Sequence, residues 1–174
     1  MPGSVIVVNG ASSAGKSTLC RAAQPRLPRP FLHYGLDVVF FGDVLPRDAD
    51  GGLRSWSSLR PRVVEGFFGS VRAFADAGVD VLTDIVVEDR EGLRLIETTL
   101  AGLDVFWVGL HAPVEELERR ERDRGDRGSG DARRDLETVH SFRSYDVDLD
   151  STRGAEANAA ALVDAWRARV AGSD

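Results

Sequence analysis

Residues 4–17 read SVIVVNGASSAGKS, and this stretch decides the fold. The β-branched run Ser4 to Asn9 predicts a buried strand, and residues 17–24 predict a helix that Pro25 ends. Between them, Gly10 to Ser17 matches the pattern of Gly, four residues, Gly, Lys and then Ser or Thr. That pattern binds phosphate when it lies between a strand and a helix. The stretch therefore predicts an α/β fold with a phosphate-binding loop at the end of its first strand.

The chemistry of phosphate binding accounts for the residue types in this loop. Glycine lets the backbone approach a phosphate closely, so that successive N–H groups and the helix N-terminus meet its negative charge. Lys16 is the only lysine in the sequence, and the pattern predicts that it reaches the β and γ oxygens while the Ser17 hydroxyl holds magnesium. The alternative is a glycine- and serine-rich turn with a solvated lysine. The residues predicted to bind nucleotide are Gly10, Ser12, Ser13, Ala14, Gly15, Lys16, Ser17 and Thr18.

Length and composition predict one folded domain over residues 1–174. Hydrophobic residues make up 43% of the chain and charged residues 29%, and no apolar run reaches the ~18 residues that a membrane span needs. The net charge of −6 disfavours nucleic acid and anionic membranes as partners, since both require a basic surface. The single Cys20 excludes an intrachain disulfide, and Val5–Val8 is too short for a signal peptide, so a cytoplasmic setting is expected.

Short apolar runs alternate with helical periods along the rest of the chain. Within residues 62–77, for example, Val63, Phe67, Val71 and Phe74 share one helix face. Alternating strands and helices predict a parallel sheet covered on both faces. The predicted strands are Ser4–Asn9, Phe31–Tyr34, one within Val79–Val87, Asp104–Leu110 and Val147–Leu149, and the predicted helices are residues 17–24, 62–77, 89–100, one that Pro113 opens, and 155–170.

Two carboxylates follow predicted strands, which is where ligands bind in an open α/β sheet. Asp84 is placed to support the magnesium shell, with an ordinary turn acid as the alternative. Asp37, in Gly35-Leu-Asp37, is placed to accept a proton from an acceptor hydroxyl, with a helix N-cap as the alternative. Asp43 is a competing base that lies further into the following loop. Which of Asp37 and Asp84 is the base stays open at this point.

An arginine-rich segment over residues 118–134 predicts a lid. The pairs Glu115/Arg119, Glu116/Arg120 and Glu118/Arg122 have the spacing of helix-surface ion pairs. Arg124 and Arg127 instead flank glycines, as expected of a mobile segment that closes over a transferring phosphate, and Arg120 fits either role. The seven arginines are Arg119, Arg120, Arg122, Arg124, Arg127, Arg133 and Arg134.

Other conspicuous residues carry weaker signals. The segment over about residues 38–61 is predicted to be a loop on the acceptor side, in which Trp56 and Leu53 either line a pocket or anchor the loop. His33, His111 and His140 lack the spacing of metal ligands and are interpreted as surface or core residues. The sequence therefore predicts no zinc site.

Several segments together resemble the chloramphenicol phosphotransferase family. They are residues 10–17, Gly35-Leu-Asp37, AGLDVFWVG over residues 101–109, residues 120–127 and YDVDLDST over residues 145–152. The resemblance implies a three-layer P-loop kinase-like fold with a five-stranded parallel sheet, and transfer of the γ-phosphate of ATP to an antibiotic hydroxyl. It implies Lys16 and Ser17 on nucleotide and magnesium, Asp37 as general base, and Arg120, Arg124 and Arg127 around the phosphates. Between Asp37 and Asp84 the chain departs from the family pattern.

The predicted function is therefore that of an ATP-dependent small-molecule phosphotransferase. ATP, with GTP as an alternative, and Mg²⁺ are the expected donor and metal, and the acceptor is expected to be a hydroxylated antibiotic, which would give self-resistance. A kinase for a nucleoside, sugar or shikimate-like alcohol shares the same nucleotide-side residues. A third hypothesis for the function is a nucleotide-binding switch with slow hydrolysis, which needs no general base at Asp37. The sequence leaves the oligomeric state open.

Overall fold

Five parallel strands form one sheet at the centre of the computed structural model. The structure describes residues 1–42, 44–124 and 138–172. The strands are β1 (Val5–Asn9), β2 (Phe31–His33), β3 (Asp80–Ile85), β4 (Val105–His111) and β5 (Val147–Asp150). Their order in the sheet is β2-β3-β1-β4-β5, and each neighbouring pair is parallel. This confirms the predicted five-stranded parallel sheet.

Helices cover both faces of the sheet and make the three predicted layers. Along β1 the side chains alternate, so that Ile6 and Val8 join one core cluster while Val5 and Val7 join the other. All four are completely buried. The described helices of five or more residues are α1 (Lys16–Ala23), α2 (Asp37–Phe41), α3 (Trp56–Asp76), α4 (Arg90–Thr99), α5 (Val114–Arg124) and α6 (Ala155–Ala171).

Different helices pack on the two faces. The first cluster joins α1 and α6 to the sheet through residues such as Leu19, Leu162 and Trp166. The second joins α3 and α4 through Phe68 and Ile96. Among the described residues, no helix is both long and apolar enough to cross a bilayer.

The acceptor-side loop is shorter than predicted, because helices occupy both of its ends. The helix expected from residue 62 begins at Trp56 and contains Pro61. The predicted bounds leave Pro61 just before the helix, whereas in the structure the apolar face that packs on the sheet outweighs the one backbone hydrogen bond that this proline removes. At the other end of this helix Phe74, expected in the core, is 39% exposed and contacts the Tyr34 ring edge-on.

The side chain of Asn9 ties the end of β1 to two other segments. Its Nδ2 donates to the Val139 carbonyl oxygen at 2.9 Å and to the Tyr145 hydroxyl at 2.7 Å. Its Oδ1 accepts from the Val87 backbone N–H at 3.0 Å. The Tyr145 hydroxyl also lies 2.9 Å from Nδ1 of His140. The start of the phosphate loop is thus held to the chain that follows β3 and to residues 139–145.

We expect acid to destabilise the protein through His140. Burial, and next the adjacent His111 ring, lower the pKa of the His140 imidazole from 6.5 to about 4, while Asp148 opposes and Lys16 adds to this effect. Between these pH values the unfolded chain binds more protons than the folded one. The stability that depends on neutral His140 is therefore complete above pH 6.5 and is lost as the pH falls toward the folded pKa.

Denaturant unfolding of the wild type and of His140→Gln measures this effect. The difference in free energy of unfolding between the two should shrink from about pH 7 to about pH 4.5 and stay constant between about pH 7 and 8. A difference that does not change on acidification would contradict the assignment.

Candidate active site

The loop between β1 and α1 has the backbone shape that a phosphate cradle requires. Ser13 and Gly15 have φ values of 62° and 97°, in the left-handed region where glycine is free of the Cβ penalty. A Cβ on Gly10 would lie 2.5 Å from the Leu110 carbonyl oxygen, so only glycine fits where the loop leaves β1. The loop residues Ser12, Ser13, Ala14 and Gly15 line one open cleft.

Lys16 is the first residue of α1, and its side chain lies over the loop. The ammonium Nζ donates to the Ala11 carbonyl oxygen at 2.9 Å, and the side chain lines the same cleft as the loop. No acidic residue lies in the first turn of α1, so the positive end of this helix and the ammonium face the cleft together. This end of the cleft is suited to a polyanion.

Ser17 and Asp84, the two residues predicted to hold magnesium, contact each other directly. The Ser17 hydroxyl donates to Asp84 Oδ2 at 2.8 Å. Asp84 is only 6% exposed, and burial raises the pKa of its carboxyl. The His33 imidazole, Lys16 and the Ser17 hydroxyl outweigh this and hold the pKa below its usual value, so the carboxylate is ionised.

The donor set fits a magnesium ion. A hydroxyl and an ionised carboxylate are hard oxygen ligands of the kind Mg²⁺ prefers. The Ser17 hydroxyl and Asp84 Oδ2 lie 2.8 Å apart, close to the ~3.0 Å edge between two neighbouring ligands of an octahedral Mg²⁺ with bonds of about 2.1 Å. The pair can therefore hold a divalent cation beside the phosphate loop.

Asp37 lines the same cleft as the loop. It is the first residue of α2 and directly follows the N-cap residue Leu36. Leu36, Asp37 and Val38 line the cleft together with Lys16 and Asp84. The structure thus brings the predicted base, lysine and magnesium residues to one cavity.

Arg120 links α5 to the phosphate loop. Its Nη1 donates to the Ala14 carbonyl oxygen at 2.9 Å, and its Nε donates to Glu116 Oε1 at 2.6 Å. Neighbouring Arg119 instead bonds Glu116 and Asp123 on the exposed face of the helix, so the predicted Glu115/Arg119 pair is wrong by one position. Because consecutive residues are about 100° apart around a helix, Arg120 faces the loop while Arg119 faces solvent.

Two of the predicted lid arginines cannot be placed. The Arg124 side chain and all of Arg127 lie outside the described residues, as does Asp43, the competing base. The predicted lid is therefore seen only as far as α5.

The cleft has a volume of about 1600 Å³, and residues of α2 and α3 also line it. Among them, Trp56 and Phe40 meet edge-to-face, with ring centroids 5.0 Å apart. Arg60 makes a two-pronged ion pair with Glu88, with one N–O distance of 2.7 Å. Trp56 and Leu53 both line the cleft, which agrees with the interpretation that this segment lines a pocket.

Sequence reasoning missed three residues of this cleft. Arg60 and Glu88 are 28 positions apart, and neither belongs to a motif. His33, interpreted as having no role, has its Nε2 3.5 Å from Asp84 Oδ1. Its position at the end of β2, next to the strand that carries Asp84, is a signal that could have revealed it, because parallel neighbours bring their carboxyl ends together.

Comparisons with known proteins agree with this geometry. A family model described as chloramphenicol phosphotransferase-like protein matches residues 3–167. A Mycobacterium tuberculosis protein, named "Putative O-phosphotransferase Rv2636", is 32% identical over 172 residues, covering 86% of this chain and 76% of that relative.

Solved structures share the fold. The APS kinase CysC of Mycobacterium tuberculosis, in complex with AMPPNP and APS, has a TM-score of 0.72 at 19% identity and covers 95% of this chain and 98% of its own. The Deinococcus radiodurans tunicamycin resistance protein has a TM-score of 0.66 at 15% identity, with 93% and 94% covered. At these identities the two structures establish the P-loop kinase fold alone. The match over residues 3–167 and the relative that is 32% identical show that the chain is a kinase, a small-molecule O-phosphotransferase that belongs to the chloramphenicol phosphotransferase-like family.

Proposed function

We propose that the enzyme transfers the γ-phosphate of ATP, bound with Mg²⁺, to a hydroxyl of an antibiotic related to chloramphenicol. The observation that carries the proposal is a single cleft lined both by the phosphate loop with Lys16 and by the aromatic pair of Phe40 and Trp56. Asp37 lies in the wall of the same cleft. The family's description supports an antibiotic as the acceptor. A cytoplasmic location accords with the use of ATP.

The residues on the nucleotide side of the cleft would act on the transferring phosphate by positioning it and by neutralising its charge. Lys16 and the backbone N–H groups of residues 12–17 would hold the β and γ oxygens, and Arg120 would add a second cation from α5. Ser17 and Asp84 would hold Mg²⁺, which when bound neutralises phosphate charge that repels a nucleophile. Arg124 and Arg127, the predicted lid residues, would contact the transferring phosphate from the lid.

Asp37 is a better candidate for the base than Asp84. Asp84 is 6% exposed, and its Oδ2 already accepts from Ser17, so an acceptor hydroxyl has little access to it. Asp37 is partly exposed in the cleft wall. Its carboxylate would accept the hydroxyl proton as the oxygen bonds to phosphorus, which is late in a loose phosphoryl-transfer transition state.

Substitution of the two carboxylates should separate their roles. Asp37→Asn should lower kcat by about 10²- to 10⁴-fold, the usual contribution of a general base, with little change in nucleotide affinity. Asp84→Asn should instead weaken magnesium-dependent nucleotide binding. Steady-state kinetics and calorimetric titration with a nonhydrolysable nucleotide measure both effects. Unchanged turnover in Asp37→Asn would remove Asp37 from the mechanism.

Two adjacent arginines offer a matched test of the phosphate end. Arg120→Ala removes a cation that contacts the loop, and we expect kcat to fall by about 10²-fold or more. Arg119→Ala removes one surface ion-pair partner on the same helix and should leave kcat within about twofold of the wild type. Equal losses in both variants would indicate damage to α5 rather than a role in transfer.

An acceptor panel tests the substrate class. Chloramphenicol, nucleoside and aminoglycoside antibiotics, together with sugar, nucleoside and shikimate-like alcohols, are incubated with ATP and Mg²⁺, and phosphorylation is read as a mass shift. We expect antibiotic-dependent phosphorylation. Phosphorylation of metabolites alone would support a metabolite kinase, and acceptor-independent ATP hydrolysis as the sole activity would support a nucleotide switch.

A further inference from the structure

Three potential metal ligands from distant parts of the sequence meet behind the phosphate loop. They are Cys20 on α1, His33 at the end of β2 and Asp84 on β3. One ligand atom from each residue lies within 4.8 Å of the other two. Cys20 is completely buried and Asp84 is 6% exposed, and the His33 side chain is 18% exposed. This cluster is distinct from the surface acids that often lie together without a metal.

Two of the three ligand atoms are buried and lack a hydrogen-bond partner among the described residues. They are His33 Nε2 and Asp84 Oδ1, and their separation of 3.5 Å is long for a well-formed hydrogen bond. The same separation is close to the ~3.4 Å edge between two ligands of a tetrahedral zinc ion with bonds of about 2.1 Å. Buried polar atoms of this kind are uncommon in folded proteins unless an ion or water satisfies them.

We propose that Cys20, His33 and Asp84 form a binding site for zinc or a similar soft divalent cation, separate from the magnesium position. A thiolate and a carboxylate balance the charge of Zn²⁺, so the bound site is neutral and its burial costs less than that of an isolated ion. Imidazole and thiolate select zinc over magnesium, which prefers oxygen ligands.

The binding step releases one proton. Burial raises the pKa of the Cys20 thiol, so the thiol is protonated before metal enters. The Zn–S bond then replaces the S–H bond, and the proton leaves to solvent. His33 and Asp84 line the large cleft, which gives the ion a path of entry and leaves the fourth coordination position to a water molecule.

Occupancy of this site would inhibit the transferase, and this consequence rests on the proposed function. Asp84 directs Oδ2 toward Ser17 and Oδ1 toward His33, so its two oxygens face two different cation positions. A zinc ion on Oδ1 would draw negative charge from the carboxylate and weaken the hold on a cation at Oδ2. Zinc would therefore lower turnover by acting beside the magnesium position.

Cobalt(II) titration of the purified protein tests the site without reference to activity. Co²⁺ replaces Zn²⁺ in tetrahedral sites, and a thiolate ligand adds a charge-transfer band in the near ultraviolet. We expect this band in the wild type, its loss in Cys20→Ala, and its displacement when zinc is added. His33→Gln retains the thiol and should weaken zinc binding, measured by competition, by at least about tenfold.

His111→Gln is the matched control. His111 also pairs with an aspartate, Asp148, at 2.6 Å, but the only cysteine of the chain is elsewhere. We expect His111→Gln to bind both metals as the wild type does. Thermal unfolding of each metal-free variant establishes that it is folded before its affinity is compared.

The outcomes distinguish this site from the catalytic proposal. Absence of the thiolate band in folded wild type, or equal zinc affinity in the wild type and in both folded Cys20→Ala and His33→Gln, would overturn the metal site whatever the enzyme phosphorylates. If an acceptor is found, zinc should inhibit the wild type and inhibit Cys20→Ala at least about tenfold more weakly, with basal turnover unchanged. Equal inhibition of the wild type and of Cys20→Ala would show that zinc inhibits from a site other than the Cys20 cluster.

Discussion

The pairing of β1 between β3 and β4 is the constraint on which the site depends. Because all three strands are parallel, their carboxyl ends meet at one edge of the sheet. The register sets Val8 beside Asp84, so the chain that leaves β1 as the phosphate loop passes next to the buried carboxylate. The hydrogen bond from Ser17 to Asp84 follows from this register and from the first turn of α1.

Charged side chains in the cleft are compensated by neighbours, some of them on other elements. Asp84 on β3 receives its compensation from Ser17 and Lys16 on α1 and from His33 on β2. Arg120 reaches the loop from α5 while bound to Glu116 on its own helix. Elsewhere in the cleft wall Arg60 and Glu88 neutralise each other, and Phe40 and Trp56 form an aromatic pair.

Sequence reasoning predicted that Asp37 and Asp84 lie near the carboxyl ends of strands, as the structure has them, but it misjudged a helix start and missed some side-chain contacts. Asp37 and Asp84 were found because the ends of parallel strands are where an α/β sheet places its chemistry, and both line the cleft. The predicted start of α3 at residue 62 was wrong because side-chain periodicity is a local signal, whereas packing of Phe67 and Phe68 against the sheet is a tertiary one. The three histidines lack the spacing of metal ligands, and spacing along one helix or strand gives no information about contacts between distant elements.

By itself, the sequence determined the layered α/β architecture, the phosphate loop and the class of enzyme. The first two depend on residues close together in the chain, such as the β-branched run of β1 and the glycines before Lys16, which act through backbone conformation and side-chain period. The class of enzyme came from the phosphate-loop pattern together with the resemblance of several segments to a known family. Only the tertiary structure decided which distant residues meet: Cys20 with His33 and Asp84, and Arg60 with Glu88 in the cleft wall. Strand order and helix packing set the distances between these residues, and neither can be predicted from a single segment of the sequence.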